Sequence, residues 1–278
     1  MTAAPVGNGW RAYPYWWDEA PIAPAEADQA LPGRADVVVG AGYTGLSAAL
    51  ALARAGRSVL VLDANLPGEG ASTRSGGMIG SGHRVGLGEL ERRHGREAAK
   101  ALAREGMVAL EFTLGLIERE GIACHLQRVG RFRGAWLPAH YEAMAREVER
   151  QRRELGLEAD MVPAAEARRR EVATDHYHGG AVYHRHGGVH PAFLHAGLWG
   201  RAREAGAVVL GRTPVVGIDA GTRDARVATE RGELAAGQVV VRPTATRRPP
   251  RAACGAAWCR SRVSSSPPRS WARTGCGA

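Results

Sequence analysis

The sequence predicts an α/β protein built around a parallel sheet, and three observations predict it. Residues 35–64 read as strand, glycine turn, helix and second strand in unbroken succession. A helical segment at 193–205 leads into a second set of apolar strand-like residues at 208–210 and Val215, the alternation of a layered α/β domain. The 278 residues are enough to bury one large core or two modest ones.

The first unit is explained locally. Residues 36–39 are an apolar run of strand type, followed by Gly40-Ala41-Gly42-Tyr43-Thr44-Gly45 with the GxGxxG spacing of a Rossmann-type dinucleotide turn. Gly40 permits the tight turn, Gly42 lets backbone approach a pyrophosphate, and Gly45 lets helix and strand pack closely. The helix that opens there offers its N-terminal amides and dipole to negative charge. Leu46, Leu50, Leu52 and Ala53 supply its apolar face, Gly56 ends it, and 58–62 form the second strand. Asp63 closes that strand about 20 residues beyond the glycines, where a carboxylate can accept hydrogen bonds from ribose hydroxyls. The fingerprint specifies an adenine dinucleotide and leaves FAD and NAD both open.

The next segment, Gly68-Glu69-Gly70-Ala71-Ser72-Thr73-Arg74-Ser75-Gly76-Gly77-Met78, is a second glycine-rich loop carrying hydroxyls and one arginine. Such a loop can lie along a diphosphate and ribityl chain through backbone donors, and by composition it is equally a flexible surface loop. An NAD domain would more often proceed at once to another βα unit.

Between the cofactor segments the pattern turns to α+β. Residues 90–120 are mostly helical, with Leu102, Val108, Leu110, Leu114 and Ile117 on faces able to pack against a sheet. Strand and turn follow at 124–136, an amphipathic helix at 141–155, and a strand at 181–184. Arg119, Arg128 and Arg131 are candidates for a substrate carboxylate. Glu105, Glu111 and Glu118 read as solvated helix faces. His176, His178, His184, His186 and His190 straddle glycines and a strand, with no carboxylate or cysteine at a usual ligand spacing, so no metal site is expected.

Composition narrows the class. No apolar stretch is long enough to span a membrane and no basic-then-apolar leader opens the chain, so a cytoplasmic protein without membrane partners is expected. Cys124, Cys254, Cys259 and Cys276 form neither a paired metal spacing nor a disulfide framework. A net charge of +9 would suggest nucleic acid, but eight arginines and no acidic residue fall in 242–278, leaving +1 for the rest. No nucleic-acid partner is expected. Oligomeric state is not legible.

Taken together, the fingerprint, the Gly-Ala-Ser-Thr-Arg-Ser-Gly-Gly loop, Tyr177-His178-Gly179-Gly180, Gly187-Gly188-Val189-His190-Pro191 with its following helix, and Thr213-Pro214-Val215 resemble the D-amino-acid-oxidase-type FAD-dependent oxidoreductases. The aromatic arm at Tyr15-Trp16-Trp17 makes the chain most similar to the bacterial gamma-glutamylputrescine oxidoreductase branch. The resemblance runs from about residue 10 to Val241. It implies a Rossmann-type FAD-binding domain interleaved with an α+β substrate domain, incomplete at the C-terminus. The expected boundaries are an arm at 1–35, FAD-binding segments at 36–88 and 187–241, a partial substrate domain at 89–186, and a non-homologous basic tail at 242–278. Motif and resemblance together assign FAD to Gly40, Ala41, Gly42, Tyr43, Thr44, Gly45, Asp63, Ala64, Ser72, Thr73, Arg74, Ser75, Gly76, Gly77, Met78 and Val215, the last meeting the adenine.

The implied reaction is oxidation of a C–N bond of a small-molecule amine or amino acid by hydride transfer to flavin. The cofactor carries that chemistry, so no catalytic side chain is named. An NAD-dependent dehydrogenase and a non-catalytic basic binding protein are the alternatives. The tail holds three of the four cysteines and five of the fifteen prolines, and has no periodic apolar pattern. We read it as a shifted reading frame, with a disordered basic extension as the alternative. Read from the third base of each codon, Arg242-Pro243-Thr244-Ala245-Thr246 can encode Ala-His-Gly-Tyr-Thr, which is very similar to the family at this point. An active enzyme is not assured of such a chain.

Overall fold

The computed structural model describes residues 13–22, 29–221, 223–242 and 251–252. The chain divides into two units, the first formed by 1–75 and 195–278 and the second by 76–194.

In the first unit, β1 (Arg34–Val39) leads through the glycine turn into α1 (Tyr43–Arg54) and β2 (Val59–Leu62). Val37, Val38, Val61 and Leu62 are at most 1% exposed, as expected of strands covered on both faces. Each such side chain contributes about 1.5–3 kcal/mol by leaving water. The buried face of α1 is Gly45, Leu46, Ala49, Leu50 and Ala53. Leu52, expected on that face, is only half-buried and Ala49 takes its place. Gly56, at φ +75°, turns the chain out of the helix.

The second unit opens with β3 (Met78–Ile79), α2 (Leu87–His94) and α3 (Arg96–Arg119). The mostly helical segment expected over 90–120 is two helices, broken at Gly95 with φ +80°. Leu110, Leu114 and Ile117 are buried as expected, whereas Leu102 and Val108 are exposed. Next come β4 (Arg131–Gly134), α4 (Pro138–Leu155), β5 (Ala159–Val162), α5 (Ala164–Arg170), β6 (Gly180–Tyr183) and β7 (Gly187–Gly188). The strands β4, β6 and β5 make an antiparallel sheet in that order, and Val148 of α4 packs on Ala159 and Ala181. Pairing of β3 with β7 draws both segments into this unit, which is why it reaches beyond the 89–186 expected for a substrate domain.

Helix α6 (Pro191–Glu204) returns the chain to the first unit, where β8 (Val208–Leu210), β9 (Val215–Ala220), β10 (Ala225–Thr229), β11 (Gly232–Val241) and β12 (Arg251–Ala252) complete a seven-stranded sheet. Its order is β12-β9-β10-β11-β1-β2-β8. The four strands β11, β1, β2 and β8 run parallel, and β9, β10 and β11 form an antiparallel meander at their side. This is an α/β architecture with a parallel centre. The pair of residues in β12 lies beside β9. The remainder of the tail, and with it the expectation of disorder, lies outside the described residues, as do 1–12 and 23–28 of the arm. Among the described residues no helix is long and apolar enough to cross a membrane.

Candidate functional site

The turn between β1 and α1 is built almost wholly from backbone. Gly40 has φ +102°, and its amide donates to Leu62 O at 2.8 Å, tying the turn to the end of β2. A Cβ on Gly45 would lie 1.9 Å from Gly40 O, so only glycine lets α1 start this close to the strand. Gly42 caps α1 with extended backbone and no side-chain hydrogen bond to the helix. The amides of Thr44 and Gly45 fall in the first turn, where no intrahelical acceptor exists. The result is a helix N-terminus whose Thr44 and Gly45 donors have no intrahelical partner, with no carboxylate in the first turn, a cradle for an anion.

Asp63 stands where the sequence placed it, at the end of β2. Its Oδ2 accepts the Ala41 amide at 2.8 Å and its Oδ1 accepts the Asn65 amide at 2.9 Å. Each carboxylate oxygen has a second lone pair, so the group shapes the turn and retains capacity for a ribose hydroxyl. Ala64 follows it, half-buried. Thr213 donates its amide to Asp63 O at 2.8 Å, which brings the start of β9, with Val215 half-buried, to the same end of the sheet.

The second glycine-rich loop is ordered and not a free surface segment. Residues Ala71–Thr73 form a 3-10 turn, and Ser72 Oγ accepts the Tyr43 amide at 3.2 Å. A Cβ on Gly42 would come within 3.0 Å of the same oxygen, so the two loops are in contact. Thr73 is fully buried and accepts Trp17 Nε1–H at 2.9 Å. Trp16 Nε1–H donates to Ser75 O at 2.8 Å. The aromatic arm, a 3-10 turn at Tyr15–Trp17, is thereby anchored to this loop. Arg74 lies with its guanidinium 5.2 Å from the Trp17 ring centroid, a cation–π contact.

Gly76, Gly77 and Met78 continue into the second unit. Gly77 has φ +72°, and a Cβ there would fall 2.3 Å from Val189 O, where the Val189 amide returns a 2.8 Å bond to Gly77 O. Met78 is exposed.

One site residue was not singled out from the sequence. His195 of α6 is 3% exposed, and its Nε2 is 2.7 Å from Ala41 O. Burial pushes the ring below its ordinary pKa, opposed by the Ala41 carbonyl and by Asp63. The one available clue was a polar residue on the buried side of a helix, with Trp199 one turn on.

The five clustered histidines disperse. His184 binds Asp160 at 2.7 Å, His176 stacks on Trp136, and His190 accepts the Phe193 amide at 3.2 Å. His178 donates its backbone amide to Ala135 O. His186 is 2% exposed, stacks on Tyr183 and accepts the Ser81 amide at 3.0 Å. Burial first, then Arg131, drops it to a pKa of about 4. Among the described residues no three His, Cys, Asp or Glu side chains are placed to hold a metal ion. Of the three arginine candidates, Arg128 pairs with Glu118 and Arg119 lies over Phe112. Arg131 lies over Tyr183 and lines a cavity of about 730 Å³ within the second unit.

Residues 37–243 match the DAO family, described as FAD dependent oxidoreductase. The chain belongs to this family. Its cofactor class is therefore FAD, and the nicotinamide alternative falls. The DAO match ends at 243, where the composition changes. The chain is 32% identical over 234 residues to a probable oxidoreductase OrdL of Rhizobium meliloti (strain 1021), covering 82% of this chain and 54% of that protein. It is 34% identical over 204 residues to gamma-glutamylputrescine oxidoreductase of Escherichia coli (strain K12), covering 73% of this chain and 47% of that one. This DAO-family chain thus spans about half the length of the curated relatives it matches. Among solved structures it is similar to glycine oxidase from Geobacillus kaustophilus, with a TM-score of 0.61 and 25% identity over 76% of this chain and 55% of that one. The fold is shared with L-amino acid deaminase from Proteus myxofaciens, with a TM-score of 0.64 and 21% identity over 80% and 48% of the two chains.

Proposed function

We propose that this chain binds FAD through the β1–α1 turn and the second glycine-rich loop, and that the protein it represents oxidises a C–N bond of an amine or amino acid. The observation that carries the reading is the turn itself: a Gly42 amide and first-turn amides at Thr44 and Gly45 without intrahelical acceptors, a Gly45 approach that excludes any side chain, and Asp63 at the end of β2. These residues fit a dinucleotide. A pyrophosphate needs close backbone and positive potential, and both are present without a cationic side chain.

Gly40, Ala41, Gly42, Tyr43, Thr44 and Gly45 would hold the pyrophosphate, with Asp63 and Ala64 at the ribose and Val215 at the adenine. Ser72, Thr73, Arg74, Ser75, Gly76, Gly77 and Met78 would line the flavin half. When bound, FAD supplies the two-electron acceptor for the hydride leaving the carbon beside the substrate nitrogen. The chain's own residues position it: Ser72 holds the second loop against the first, Thr73 braces that loop through Gly68 O, and Trp16 and Trp17 tie the arm to it. The finer reading, a gamma-glutamylputrescine oxidoreductase-like activity, is supported by the 34% identical relative and by the aromatic arm.

The test is direct. Purified protein should take up FAD with a yellow spectrum and a stoichiometry near one, and Gly42→Val should lose it. A folded Gly42→Val protein with unchanged flavin content would end the proposal.

A further inference from the structure

We propose that His195 is a positioning residue for the dinucleotide, holding the Ala41 carbonyl so that the Gly42 N–H on the same peptide faces the pyrophosphate. The proposal rests on the FAD reading above and adds to it a residue outside the fingerprint.

The argument starts from one peptide plane. Described peptide bonds are all trans, so the Ala41 C=O and the Gly42 N–H point in opposite directions. A carbonyl only accepts, so His195 must carry its proton on Nε2 to make the 2.7 Å contact with Ala41 O. Anchoring the carbonyl toward α6 therefore turns the Gly42 amide to the other side. There that amide has no backbone or side-chain acceptor among the described residues. The preceding peptide is fixed from another direction, by Asp63 Oδ2 on the Ala41 amide at 2.8 Å. Both peptides flanking Ala41, itself fully buried, are thus held by long-range partners, one from β2 and one from α6.

The ring is held in turn. Gly68 has φ +96°, and a Cβ there would sit 3.1 Å from His195 Cε1 and 3.2 Å from Nδ1. Gly68 O accepts the Thr73 hydroxyl, whose oxygen receives Trp17 Nε1–H. One imidazole thereby spaces the second glycine-rich loop from the first. Its burial keeps the ring neutral, so it orients the peptide without adding charge beside Asp63.

The experiment uses the full chain with two substitutions and two readouts. His195→Leu keeps bulk and removes the donor; His195→Gln restores an N–H near the position of Nε2. FAD affinity, read by quenching of flavin fluorescence on the apoprotein, should fall about tenfold or more in His195→Leu and recover most of that in His195→Gln. The thermal midpoint of each apoprotein is measured alongside. Imidazole ¹⁵N shifts of flavin-free parent protein should show His195 as the Nε2–H tautomer. An Nδ1–H tautomer, equal FAD affinity in all three proteins, or a loss in His195→Leu that follows the midpoint and is not recovered by Gln overturns the assignment. A parent protein that takes up no flavin, with the Nε2–H tautomer in place, instead overturns the FAD reading on which it rests.

Discussion

Substituting Gly45 with Ala tests the packing on which the candidate site depends. The new Cβ would lie 1.9 Å from Gly40 O, 3.1 Å from Gly40 C and 3.4 Å from Val38 Cγ1. Ordinary contact begins near the last of these distances, so the start of α1 must retreat by about 1.5 Å or the turn must open. Neither yields easily. The obstructing atom is backbone, Gly40 is already at φ +102°, and its amide is tied to Leu62 O at 2.8 Å. Alanine gains about 1 kcal/mol of helix propensity over glycine, while overpacking costs 1–3 kcal/mol and more against backbone. We expect a net loss of about 1–2 kcal/mol in urea unfolding of the apoprotein. Withdrawal of the first-turn amides by more than an ångström should remove about two charge-assisted hydrogen bonds, about 3 kcal/mol or more, which lowers FAD affinity by over roughly 100-fold. The control is Gly200→Ala on α6, where an added Cβ meets nothing within 4 Å. It should stabilise by about 0.5–1 kcal/mol and leave FAD affinity alone. A Gly45→Ala protein matching its parent in both measurements would refute the argument that this contact sets the geometry of the turn.

Acidification should destabilise the fold through its buried histidines. His186 and His195 both titrate below the ordinary value in the folded state, so the unfolded chain binds more protons below about pH 6.5. Their contribution is complete above that pH and is lost as pH falls; for His186 the loss levels off near its folded value of about 4, on the order of 3 kcal/mol in total. His186→Gln, able to accept the Ser81 amide without titrating, should flatten that dependence in urea unfolding between pH 7.5 and 4.5; a parallel curve would remove His186 as the cause. Arg74→Ala should weaken FAD binding by about 1.5–3 kcal/mol if the side chain exchanges Trp17 for the diphosphate, and equal affinity would leave it as a partner of Trp17 alone. The coding DNA read one frame over past Val241 should continue Ala-His-Gly-Tyr-Thr; an early stop there would sink the shifted-frame reading of the tail.

What the sequence determined by itself is the part whose physics is local. Gly40, Gly42 and Gly45 are required by a turn six residues long, and Asp63 follows one helix and one strand later, so spacing alone places all four. Residues 37–39 and 59–62 are apolar throughout because both faces are covered, and that too is legible without a partner. The break at Gly95 was also readable, since Arg92, Arg93 and His94 precede a glycine as at many helix ends. Periodicity marked Leu102 and Val108 as apolar but could not say that, among the described residues, both stay exposed on α3. Tertiary structure alone decided that β11 lies beside β1, with Arg34 opposite Ala235, and that Trp17 reaches Thr73. It alone brought His195 to Ala41, 154 residues apart. Spacing rules describe neighbours along a helix or across a turn. A buried carbonyl takes whichever donor the packed chain brings to it, and only folding sets which one that is.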